Sequence, residues 1–167
     1  MSRLALCQVV AISKKYMKET LHFEIVIHAP VQKVWDTMLG PETYKEWTKV
    51  FEPTSYYEGS WEKGSQIKFL GGDGSGMLSE IAENIPHKFI SIRHLGEVRG
   101  GVEDTTSPQV QQWLPAYENY TFEEQEVGTK LSVDMEMESS PQSVAMKEMF
   151  EGMWPKALES LKQLCEQ

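Results

Sequence analysis

The C-terminal stretch constrains this chain more than any other part of it. Val144, Met149, Phe150, Met153, Trp154, Ala157, Leu158, Leu161 and Leu164 recur at helical spacing and form one broad apolar stripe, the pattern of a helix that buries a whole face. Ser139 and Ser140 supply a cap and Pro141 a start. A stripe of this length must pack on something large, and most of the chain upstream reads as strands. Pro155 falls inside the helix, where it removes one backbone donor and crowds the preceding turn, so a bend is expected there.

The upstream segments supply the partner. Leu21, Phe23, Ile25 and Ile27 alternate with His22, Glu24 and His28, the two-residue period of a strand with one buried face. Ala29-Pro30 ends it. Val31, Val34, Trp35 and Met38 then recur at helical spacing up to Gly40, and Pro41 opens a second short helix carrying Tyr44 and Trp47. Beyond residue 54 the pattern turns to strands: Tyr56-Tyr57, then Ile67 and Phe69, then 77–85, 89–95, 117–125 and 129–137. Gly128 can supply the positive φ of a hairpin between the last two. Residues 96–115 are mainly polar, with Gly100-Gly101, and read as one long loop. The expectation is an α+β chain: a curved antiparallel sheet of six or seven strands around a long C-terminal helix, with two short helices after the first strand. It forms one domain over 17–167, preceded by an N-terminal arm over 1–16.

Charge narrows the partners. With 167 residues, a net charge of -9 and a pI near 5.0, the chain has no basic surface for nucleic acid or anionic headgroups. No segment reaches the roughly 20 apolar residues of a membrane span. The apolar run from Leu4 to Ile12 is broken by Gln8 and leads into Ser13-Lys14-Lys15, so it does not read as a signal peptide. Cys7 and Cys165 have no motif spacing, which fits neither a disulfide framework nor a thiolate metal site and points to the reducing cytoplasm. Residues 71–76 are rich in glycine, but neither a dinucleotide fingerprint nor a Lys-Ser/Thr pair is present, so they read as a hairpin connection. His22 and His28 lie on the face opposite Phe23 and Ile25, and none of the four histidines has a partner at ligand spacing. Neither a metal nor a cofactor is expected.

The order strand, two helices, meander, long helix resembles the START-related (SRPBCC) superfamily of lipid-transfer proteins, pollen-allergen-like proteins and polyketide cyclases, which share a helix-grip fold. Within it the chain is most similar to the family of activator of heat-shock protein 90 ATPase homologues. The resemblance rests on Ile27-His28-Ala29-Pro30-Val31-Gln32-Lys33-Val34-Trp35-Asp36, on Tyr44-Lys45-Glu46-Trp47, and on Glu58-Gly59-Ser60-Trp61-Glu62-Lys63-Gly64-Ser65. Tyr120-Thr121-Phe122-Glu123-Glu124, Gly128-Thr129-Lys130-Leu131 and Gly152-Met153-Trp154 extend it over residues 20–165. The stretch 96–115 is longer than the family's usual connection, and the N-terminal arm has no counterpart. The resemblance implies a fold closely and a function only broadly, because binders, carriers and enzymes share the scaffold.

Three functions are then open. The first is binding of a small apolar or amphipathic molecule between sheet and helix. The second is a cyclase- or hydratase-type enzyme using an acid or base in the cavity. The third is a chaperone-associated interaction module. Trp35, Trp47 and Trp61 read as core and turn packing. Candidate ligand contacts are Phe69, Met149, Phe150, Met153 and Trp154 around the cavity, methionine being adaptable to irregular apolar shapes. Ile90 and Ile92 share a face with His94, and Tyr120 and Phe122 share a face with Glu118. Alternation therefore turns His94 and Glu118 inward together, at the same end of adjacent strands, where they could orient the polar head of a ligand.

Overall fold

The computed structural model describes residues 17–141 and 143–167. The expected N-terminal arm, with Cys7 and the apolar run, lies outside the described residues. In chain order the elements are β1 (Lys18–Ile27), α1 (Val31–Leu39), α2 (Pro41–Trp47) with a 3-10 turn at Thr48–Val50, β2 (Tyr56–Gly59), β3 (Gln66–Leu70), β4 (Gly76–Ile85) and β5 (Phe89–Arg99). There follow β6 (Val102–Asp104), α3 (Pro108–Gln111), β7 (Ala116–Gln125), β8 (Gly128–Glu138) and α4 (Ser143–Cys165). This is the expected α+β helix-grip architecture, with an eighth strand.

The strands lie in the order β1-β8-β7-β5-β4-β3-β2, and β6 pairs with the far part of β5. All pairings are antiparallel. Alternation on each strand sends one set of side chains to the concave face, where it lines up across strands in rows. Phe23, Val133, Tyr120 and Ile90 form one row. Leu21, Met135, Glu118, Ile92 and Ile81 form the next, an apolar row with a single carboxylate in it. Ala116, His94, Ser79 and Ile67 form the third.

Helix α4 packs on the first of these rows through Trp154, which meets Phe23 and Tyr120. Trp154 is 2% exposed and its ring packs against Phe23, Trp47, Phe51 and Tyr120, with centroids 5.0 to 6.3 Å apart. Ala157, Leu158, Leu161 and Cys165 continue the buried face. The N-terminal half of the stripe differs from expectation: Val144 is 53% and Met149 44% exposed. Its tie to the sheet is polar, Lys147 pairing with Glu19 of β1. The helix continues as one element through Pro155. At its start the Ser143 N–H donates to Ser140 Oγ at 3.2 Å and the Ser140 N–H to Ser143 Oγ at 2.9 Å, a reciprocal cap.

The stretch 96–115 is not one loop. Strand β5 runs on to Arg99, turns through Gly100 (φ 55) and Gly101 (φ 84), and pairs back as β6. Positive φ at both central positions is what a tight two-residue hairpin requires, and glycine meets it without strain. The polar sequence concealed this hairpin because its strands do not alternate with a buried face. Helix α3, capped by the Ser107 hydroxyl, then sets Val110 fully buried beside β5.

The two halves of α4 should respond differently to truncation. Leu161→Ala, at a fully buried site, should lower stability by about 2–5 kcal/mol in urea denaturation. Met149→Ala should change it by no more than about 0.5 kcal/mol. Equal losses would mean that the N-terminal half is packed as firmly as the rest.

Candidate functional site

On the concave face a chain of polar side chains crosses three strands. Ser79 Oγ on β4 is hydrogen-bonded to His94 Nδ1 on β5 at 2.8 Å. His94 Nε2 stands 3.6 Å from Glu118 Oε2 on β7, and the Tyr120 hydroxyl donates to Glu118 Oε1. The side chains of His94 and Glu118 are 10% and 17% exposed, so water reaches the pair while most of it is enclosed.

A register shift between Leu78 and Ser79 positions this group. Leu95 has no partner on β4 there, and β5 changes facing across the shift. His94 turns inward beside Ser79, while Val98 turns outward to a second small cluster with Leu70 and Leu78.

Tyr44 of α2 closes the group from above. It is 7% exposed and its ring meets Tyr57 at 5.1 Å and Phe69 at 6.0 Å. The Tyr57 hydroxyl donates to the Leu39 carbonyl at 2.6 Å, which fixes this aromatic wall against α1. Burial, and then the nearby Glu118 carboxylate, push the Tyr44 and Tyr120 phenols well above the ordinary tyrosine range. Both therefore stay neutral at physiological pH.

Ser79, His94 and Glu118 stand in the order of a hydrolase triad, but the arrangement does not make a nucleophile. Ser79 is fully buried, and the gap of 3.6 Å between His94 and Glu118 exceeds hydrogen-bond length. The serine anchors the imidazole. No group of three or more metal-ligating side chains occurs among the described residues.

The other residues singled out in the sequence divide in three. Phe69, Phe150 and Met153 are half-buried, and Phe69 and Phe150 pack against the core margin. Phe122 is 4% exposed with its ring 5.0 Å from Trp35, so it fills the space under α1 instead of lining an opening. Trp154 is likewise a core side chain: four rings surround it, and its indole N–H has no acceptor among the described residues. Met149 lies exposed outside the group. Sequence reasoning missed Ser79, Tyr44 and Met135. Met135 is readable in hindsight, since it shares the inward face of β8 with Leu131 and Val133.

Two open clefts, of about 430 and 590 Å³, lie on either side of α1. Lys33, Asp36 and Thr43 line the first, and His28, His87 and Glu124 the second. Neither includes a member of the polar chain.

Fold and site together define a helix-grip domain of the START-related superfamily. The pattern of the family described as Activator of Hsp90 ATPase homolog 1-like protein matches residues 28–166, and the chain belongs to that family. No curated protein sequence matches it. Among solved structures, a protein from Mesorhizobium loti is similar with TM-score 0.69 and 19% identity, over 87% of this chain and 96% of that one. The Aha1 dimer from Colwellia psychrerythraea is similar with TM-score 0.67 and 20% identity, over 89% and 96%. DynU16, a protein of the dynemicin biosynthetic locus, has TM-score 0.65 and 17% identity, over 89% of this chain and 47% of that one. At such identities the likeness is one of fold.

The buried phenols give a pH dependence. A tyrosine held neutral by the fold binds its proton more tightly folded than unfolded, so its contribution is complete below the unfolded value of about pH 10 and declines as pH rises above it. Urea midpoints should fall above about pH 10, and less steeply for Tyr44→Phe. Ionisation of both phenols in the folded protein near that pH, read from phenolate absorbance, would contradict the burial argument.

Proposed function

We propose that this chain is a binding protein for a small apolar or amphipathic molecule, taken up in the crevice between the concave face and the N-terminal half of α4. One observation carries the reading: His94 and Glu118 face inward on the concave face, with half-buried Met135 directly across from Glu118. Tyr120 holds one oxygen of Glu118 and the other is left open, and an open carboxylate oxygen among apolar side chains costs stability unless a ligand serves it. Half-buried aromatic and methionine side chains give an apolar tail adaptable contacts at low ordering cost. Cys165 is buried and has no disulfide partner among the described residues, which agrees with a reducing compartment, the cytoplasm.

A cyclase- or hydratase-type enzyme is the second reading, favoured by the adjacent imidazole and carboxylate, which could hold or move a proton on a bound substrate. Turnover of a bound compound, lost in His94→Gln with binding retained, would replace the first reading by this one. A chaperone-associated module is the reading closest to the family's description. The exposed Val144, Met146 and Met149 on α4 favour it.

The test uses a plain neutral amphiphile. Decanol should raise the melting temperature of the wild-type chain and appear bound in native mass spectrometry. Met135→Trp, placed opposite Glu118 in the sheet, should fill the crevice and weaken binding by about tenfold or more with the fold intact. Failure of decanol and of plain aromatic compounds to bind would remove the reading.

A further inference from the structure

We propose that the crevice selects an amphiphile with a cationic, hydrogen-donating head, an aliphatic amine, over one with a carboxylate or phosphate head. This rests on the crevice reading above and specifies its ligand. The acidic member of the cluster is Glu118. Its Oε1 accepts from Tyr120, while its Oε2, 3.6 Å from His94 Nε2, receives no full hydrogen bond from the imidazole. Oε2 is thus an open acceptor on a carboxylate that is only partly solvated.

Among the described residues, three cations of the sheet and of α4 are engaged elsewhere. Lys68 pairs with Glu103 at 2.6 Å, Arg93 with Glu80 at 2.9 Å, and Lys147 with Glu19. Arg93 also lies on the outer face, opposite in alternation to His94. An anionic head would meet Glu118 with no lysine or arginine paired to that carboxylate among the described residues, and like charges repel more strongly where water is scarce.

The surroundings favour a cation in two further ways. An ammonium offers several N–H donors and no acceptor, which suits the open Glu118 Oε2, 3.6 Å from the imidazole. Beside it stands the wall of Tyr44, Tyr57, Trp61 and Phe69, whose rings are 5.1 to 6.0 Å apart in successive contacts. Aromatic faces attract cations. Tyr44 and Tyr120 are neutral phenols and supply no opposing charge.

The experiment compares decylamine, decanol and decanoic acid, one tail with three heads, by calorimetry near neutral pH. The amine should bind about tenfold more tightly than the alcohol, the difference between a charged and a neutral hydrogen bond, and the acid should bind most weakly. Glu118→Gln should bring amine and alcohol to within about threefold. Glu123→Gln, which removes a carboxylate paired with Lys130 on the outer face, should leave the ranking unchanged and so controls for attraction of amines to an acidic protein. If all three probes bind equally, or the acid binds best, the selectivity is overturned while the crevice reading stands. An amine preference that survives in Glu118→Gln also overturns it. If none of the three binds, the crevice reading and the selectivity fall together. The wild-type ranking decides the question even if Glu118→Gln folds poorly.

Discussion

The packing of Trp154 holds the rest of the structure in place. Its ring touches residues of β1, α2, β7 and the segment after the 3-10 turn, so one side chain ties the helix to both edges of its surroundings. A large aromatic ring buries more apolar area than any other side chain and makes favourable tilted contacts with its neighbours. Four such contacts at one point fix where α4 crosses the sheet. The helix C-terminal to that point descends into the core through Ala157, Leu158, Leu161 and Cys165, while in the part before it Val144, Met146 and Met149 stay exposed.

That division decides where a ligand could go. Toward β1 and α1 the space under the helix is closed by Phe23, Trp35, Phe122 and Leu131, and a tail could enter only by displacing close-packed side chains. Toward the other end, the sheet presents His94, Glu118 and Ser79 under side chains that are only half-buried. The polar groups are partly satisfied by each other, through Ser79 and Tyr120, and partly left open at Glu118 Oε2. Partial satisfaction costs stability, and sites that violate the rules of a well-packed core are where function usually resides.

The fold was legible in the sequence because its two periods are clean. Alternation in 21–27, 89–95, 117–125 and 129–137 and the long stripe of α4 are set by burial, and burial writes itself into residue order. The same rule brought His94 and Glu118 to one face. It could not reach Ser79, whose position opposite His94 depends on a register shift, nor Tyr44, whose helix pattern records that it is buried and not what its hydroxyl faces. The β5–β6 hairpin was missed because it gains its stability from main-chain pairing and a glycine turn, not from an apolar face. Trp154 and Phe122 read as ligand contacts because a stripe gives the buried side of an element but not which part of it is covered by protein.

The register shift between Leu78 and Ser79 links these observations. Without it, continued alternation along β5 would place Gly96 and Val98 inward with His94. Instead β5 changes facing just past His94, and Val98 joins Leu70 and Leu78 on the opposite side. Gly96 belongs to the same device: a side chain there would collide with the Asp104 carbonyl, a Cβ lying 2.1 Å from it, so glycine lets β6 approach. One irregularity therefore ends the inward apolar surface at an imidazole. It makes His94 the last inward residue of β5, beside the carboxylate of β7. The polar end of this face follows from a break in strand pairing, while its apolar remainder follows from the alternation that the break interrupts.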